Sequence, residues 1–165
     1  MSWIPPTRTA GAAITVIVAI FVLVVPPAGA DDSVALNGHY LAVSDGKWSK
    51  TGDRDYDQPT VTNIWTIATV CENFQRCQGE VVSDAGWTAT IKLLSGTWYV
   101  GPRVHESWAP CPNGTAASGS QQYRFWTDPD NPAILTGWDK TRTASGACGR
   151  NRSVEVQMPF HLSPL

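Results

Sequence analysis

Four cysteines, Cys71, Cys77, Cys111 and Cys148, stand downstream of an apolar leader, and no other feature limits the fold of this chain as much. In an oxidising compartment thiols pair, so an even count behind an export signal reads as a disulfide framework with three possible connectivities. Spacing favours Cys71–Cys77 with Cys111–Cys148. Only five residues separate the first pair, a length that joins two antiparallel strands and brings the Cα atoms within bonding range. The same residues make a poor zinc site. C-x5-C followed by C-x36-C lacks the C-x2-C spacing, and no metal or other cofactor is expected.

The leader itself spans residues 1–30. Arg8 is its one charge, residues 10–25 (AGAAITVIVAIFVLVV) are apolar, and Pro26-Pro27 ends any helix before Ala28-Gly29-Ala30 and Asp31-Asp32. Positive start, apolar stretch, helix break and A-x-A site form the grammar of a secretory signal, with Ala30 and Asp31 as the scissile pair. The alternative is an uncleaved N-terminal membrane anchor. Sixteen apolar residues are short against the roughly 20 that a spanning helix needs. No cysteine lies near the junction, which excludes a lipoprotein anchor. Either way residues 31–165 form one exported β-rich domain, secreted or associated with the cell envelope. Contact with a membrane is expected only if the leader stays.

Charge narrows the partners. The net charge is −2, and removing Arg8 with the leader leaves −3. Acidic and basic residues are interspersed, with no run of Lys or Arg. Sequence-independent nucleic-acid binding needs a basic face, so no nucleic-acid partner is expected.

The exported part reads as strands. In Trp87–Leu93, Trp87, Ala89, Ile91 and Leu93 alternate with Thr88, Thr90 and Lys92. In Val154–Phe160, Val154, Val156, Met158 and Phe160 oppose Glu155, Gln157 and Pro159. Period-two alternation of this kind marks half-buried strands. Further strands are expected near 38–44, 61–70, 78–83, 97–104, 121–127 and 133–138, separated by turn residues such as Ser44-Asp45-Gly46 and Leu94-Ser95-Gly96. Residues 105–120 read as a loop pinned by Cys111. No segment after residue 30 shows a helical stripe. The expected fold is all-β, a single antiparallel meander closed into a barrel, with a lipocalin-like barrel or a sandwich as alternatives and two disulfides.

Motifs of catalysis are missing from this pattern. Asp53, Asp55 and Asp57 begin like a calcium loop, but Gln58 stands at the required glycine and Ile64 at the required glutamate. His105-Glu106 lacks the second histidine of a zinc protease, which would fall at Ala109. Asn113-Gly114-Thr115 matches a glycosylation acceptor, relevant only in a host with that machinery. What stands out is tryptophan, with seven in the exported part. Most belong in the core. Trp48 and Trp108 sit in or beside loop segments and are the candidates for stacking on a ligand at a barrel mouth.

A series of landmarks carries a resemblance. Gly38-His39-Tyr40, Gly46-Lys47-Trp48, Trp65-Thr66-Ile67 leading to Cys71, and Asp84-Ala85-Gly86-Trp87 are followed by Trp98-Tyr99-Val100. After them come Trp108-Ala109-Pro110-Cys111-Pro112-Asn113-Gly114-Thr115, Ala147-Cys148-Gly149 and Met158-Pro159-Phe160. Their order resembles that of the small secreted β-rich proteins of mycobacteria and related actinobacteria, and it spans nearly all of the exported part. The resemblance implies export and envelope association; it implies no catalytic residue. The function expected is non-enzymatic binding of an apolar or carbohydrate-like ligand, or, as the alternative, docking of another envelope protein. A hydrolase would require His39, His105 or His161 to meet a carboxylate and a hydroxyl.

Overall fold

The computed structural model describes residues 32–165; the leader and the Ala30–Asp31 junction lie outside the described residues. Ten strands follow in order: β1 (Gly38–Ser44), β2 (Lys50–Thr51), β3 (Arg54–Asp55), β4 (Val61–Asn73), β5 (Arg76–Ser83), β6 (Thr88–Leu94), β7 (Thr97–Pro110), β8 (Ala116–Thr127), β9 (Leu135–Thr143) and β10 (Glu155–Pro164). Helical structure among the described residues is confined to three single turns, and none of it is long enough to cross a membrane.

Eight strands make a closed antiparallel barrel. From β4 to β10 each strand pairs with the next, β1 pairs with β4, and β10 returns to β1 through the register Tyr40↔Pro164 to Ser44↔Phe160. A sheet with an apolar face is left with two unpaired edges unless it closes, and closure removes them. Strands β2 and β3 are an excursion between β1 and β4. There β2 takes over the pairing with β10 where β1 leaves it, at Gln157↔Lys50 and Val156↔Thr51.

The alternating residues set the inside. Trp65, Ile67, Ile91, Leu93, Tyr123, Phe125, Phe160 and Leu162 are buried, while their chain neighbours face outward. Trp65 meets Tyr123 edge-on at 4.8 Å and stacks on Phe160 at 5.2 Å between ring centroids. Such pairs add about 0.5–1.5 kcal/mol each beyond their buried area. The waist of the barrel is therefore filled with side chains. Val34, Ala35 and Leu36 pack against this core at one end, and Thr69 holds the segment by accepting from the Leu36 amide at 2.9 Å.

Both expected disulfides form. Cys71 and Cys77 are direct cross-strand partners on β4 and β5, with Cα atoms 3.9 Å apart. Cys111–Cys148 joins the β7–β8 tip to the turn after β9, with Cα atoms 5.1 Å apart. On the chain-entropy view the short loop contributes roughly 2 kcal/mol and the longer one roughly 4.

One expectation fails. Residues 105–120 are no loop: β7 runs to Pro110 and β8 starts at Ala116, leaving a tip of five residues. The reason is register. The β7–β8 ladder shifts between Val100 and Arg103 and again between His105 and Ala109. Each extra residue resets which side chains point inward, so the alternation that marks a strand disappears although the backbone stays paired.

Close strand approach demands glycine at position 137. A Cβ there would lie 2.1 Å from the Arg124 carbonyl oxygen and 2.6 Å from Phe125 Cα, both backbone atoms of β8. Gly137→Ala is expected to lower the unfolding free energy in urea by about 1–3 kcal/mol, the cost of overpacking a fixed interior. Unchanged stability would mean that β8 and β9 are farther apart than described.

Candidate functional site

The second shift in β7 re-aims a tryptophan. Ser107 has φ 53°, in the left-handed region that residues with a Cβ rarely adopt. Bulges of this kind turn a side chain out of the alternation, often beside functional sites. Here the result is that Trp108 folds into the barrel mouth. A Cβ built on Gly119, an inward position of β8, would lie 2.8 Å from Trp108 Cε3 and 2.7 Å from Thr141 Cγ2. The indole thus occupies the space that any larger residue at position 119 would fill. Three residues on, Cys111–Cys148 anchors the hairpin that carries it.

Trp108, Ala109 and Pro110 form one wall of a cleft of about 260 Å³. The opposite wall is the β2–β3 excursion, through Thr51, Tyr56 and Gln58, and the floor is Val154, Val156 and Met158 of β10 and its approach. No charged side chain lines it. Of the two tryptophans singled out, Trp108 lines this cleft, whereas Trp48 is 74% exposed on the Gly46–Trp48 turn and does not.

Beneath the mouth lies a polar layer. Asp139, only 3% exposed, is the direct cross-strand partner of Met158 and of Tyr123. Its carboxylate accepts from Ser44 Oγ at 2.8 Å and from Gln121 Nε2 at 2.8 and 2.9 Å. Burial pushes its pKa up, and the two hydrogen-bond donors and the Arg103 guanidinium offset this in part. Arg103 lies over the Trp87 ring, 4.5 Å from its centroid, bonds the Tyr123 hydroxyl, and donates from Nη2 to His105 Nε2 at 2.6 Å. Burial, then the Arg103 charge, lowers the His105 pKa, so the neutral ring accepts that bond. Burial and the neighbouring Asp139 push the Tyr123 pKa up.

Among the described residues no histidine meets a carboxylate. His39 Nδ1 contacts Thr66 Oγ1 at 3.1 Å, His161 Nδ1 contacts Thr136 Oγ1 at 3.4 Å, and His105 contacts Arg103. The sequence reading missed Thr51, Tyr56, Arg103, Gln121 and Asp139. A signal existed for two of them. Gln121 precedes the inward Tyr123 and Phe125 at the same parity, and Asp139 falls at the same parity as the inward Gly137 and Thr141. A polar residue in an inward register position is the mark of such a layer.

No protein-family model matches the chain, and no curated protein matches it. Among solved structures, the fold is similar to the monomer form of the M. tuberculosis PknI sensor domain, at 15% sequence identity and a TM-score of 0.61, covering 80% of this chain and 88% of that one. At this identity the likeness is one of fold.

The polar layer makes a pH prediction. Burial holds the folded Asp139 pKa above that of the unfolded chain, so the folded state binds more protons across the interval between them. The stability contribution of Asp139 is therefore full below the unfolded pKa and is lost as pH rises through the folded one. In urea titrations at stepped pH, the unfolding free energy of the wild type relative to Asp139→Asn is expected to decline as pH rises. A difference that grew with pH would mean that Ser44, Gln121 and Arg103 outweigh burial.

Proposed function

We propose that this chain is an exported envelope protein whose barrel is a non-enzymatic binding domain, taking a small apolar ligand in the cleft between Trp108 and Tyr56. The observation that carries the reading is the uncharged cleft itself, built by a strained bulge that turns an indole inward instead of leaving it on the surface. A floor of Val154, Val156 and Met158 favours an apolar body over a sugar ring, whose hydroxyls would go unpaired there. Export is supported by the leader and by two disulfides, the pattern of an oxidising compartment. A sensor domain as the fold neighbour supports an extracytoplasmic role of the same kind, within the mycobacterial and actinobacterial resemblance of the sequence.

The second reading is docking of another envelope protein. It is favoured by large apolar side chains left exposed at and near the far end of the barrel, Val70 and Phe74 of the β4–β5 hairpin and Leu94.

Titration of the full chain with N-phenylnaphthylamine, an uncharged apolar dye, separates the two. Dye emission is expected to rise on binding. Trp108→Ala is expected to weaken binding about tenfold, while Trp48→Ala leaves it unchanged. No binding, or binding that survives Trp108→Ala, overturns the cleft reading and leaves protein docking as the better account.

A further inference from the structure

Among the described residues, four buried side-chain atoms have no hydrogen-bond partner: Thr51 Oγ1, Trp65 Nε1, Arg103 Nε and Gln121 Oε1. Three of them fall in one cross-strand row. Arg103 on β7 pairs with Gln121 on β8, Gln121 with Thr141 on β9, Thr141 with Val156 on β10, and Val156 with Thr51 on β2. The orientation of Gln121 follows from Asp139, an acceptor when ionised, which takes both bonds from Nε2 and leaves Oε1 as the free acceptor. Buried polar atoms are paired in the great majority of cases, and leaving one unpaired costs as much as a lost hydrogen bond. Three in a single row is a feature of the site and not scatter over the fold.

This row underlies the cleft. Val156 and Thr51 line it, and Trp108 and Thr141 both close on the space beside Gly119. Its chemistry is mixed. Arg103 Nε offers a donor, Gln121 Oε1 an acceptor, and the Thr51 hydroxyl is both. Arg103 is the row's one charged member, and Arg103 does not line the cleft. An anionic head group would give up its hydration in a cleft that no charged side chain of the described residues lines. A ligand hydroxyl pairs with Thr51, the one residue that both lines the cleft and carries an unpaired atom, without adding charge. Thr51 itself lines the cleft, and its Oγ1 is the atom left unpaired.

We propose that the cleft selects a neutral apolar molecule bearing a hydroxyl, its chain held between Trp108 and Tyr56 and its hydroxyl received by Thr51 at the open end of the Arg103–Gln121–Thr141–Val156–Thr51 row. The proposal rests on the cleft reading given above and adds the class of ligand.

The test is competition against the dye by three probes of equal chain length at neutral pH: 1-octanol, octyl methyl ether and octanoate. Octanol is expected to bind roughly fivefold more tightly than the ether, the worth of one neutral hydrogen bond, and octanoate more weakly than either. Thr51→Val removes a hydroxyl that has no partner within the protein, so the fold is retained. In this variant the octanol and ether affinities are expected to converge. Octanoate binding as tightly as octanol, or an octanol preference unchanged in Thr51→Val, overturns the proposal. Equal displacement of the dye by all three probes overturns the ligand class alone and leaves the cleft reading standing. If the dye itself does not bind, both fall.

Discussion

The pairing of β1 with β10 is the constraint on which the rest depends. Once Tyr40–Ser44 and Phe160–Pro164 are joined, every barrel strand has two neighbours, and inward and outward positions are set around the whole ring. A closed ring of eight strands is narrow enough for large side chains to fill, and here the aromatic cluster of Trp65, Tyr123, Phe125 and Phe160 fills its waist. Space for a ligand can then arise only at an end. At one end Val34–Leu36 pack against the core and line a shallow cleft of about 320 Å³ with Phe74 and Leu135. At the other, the chain departs from the simple meander twice, in the β2–β3 excursion and in the extended β7–β8 hairpin. Those two departures are the walls of the cleft.

The disulfides divide in the same way. Cys71–Cys77 closes a hairpin whose strands already pair in register, so it reinforces local structure. Cys111–Cys148 connects elements that the ladder alone does not hold together, the β7–β8 tip and the turn after β9. It is this cross-link that fixes the hairpin carrying Trp108. The mouth therefore combines a covalent anchor, a strained Ser107 and a glycine at position 119, three local departures that converge on the placement of one ring. Beneath it the barrel also carries the desolvation of Asp139, offset by Ser44, Gln121 and Arg103. An apolar residue at that position would need none of these partners. Local rules are most often broken at sites of function, and here the breaks sit together at one end of the fold.

Most of the architecture was legible from alternation. Strand β1 follows the expected span, and Ala89, Ile91 and Leu93 face inward as their periodicity requires. The pairing of the cysteines followed from spacing. What escaped was whatever depends on register more than on pattern. The upper half of the β7–β8 hairpin does not look like strand in the sequence because the bulge between His105 and Ala109 and a run of small residues from Ala116 to Ser120 erase the period-two signal. Strands β2 and β3 are two residues long and too short to show any period. Of the site, Trp108 was visible as an aromatic in a loop-like segment, but its inward turn was not, since a left-handed serine leaves no mark in the sequence. The row from Arg103 to Thr51 is assembled from five strands, and only tertiary pairing brings its members to one level.

The central claim is that Trp108 stands inside the mouth, against β8 and β9, and so makes an end of a filled barrel into a binding surface. Nuclear Overhauser contacts of the Trp108 ring protons test it directly in solution. The account predicts cross-peaks to the Gly119 α protons and the Thr141 methyl, with those protons shifted upfield by the ring current. A Trp108 ring showing neither contact, with Gly119 and Thr141 at ordinary shifts, would contradict it.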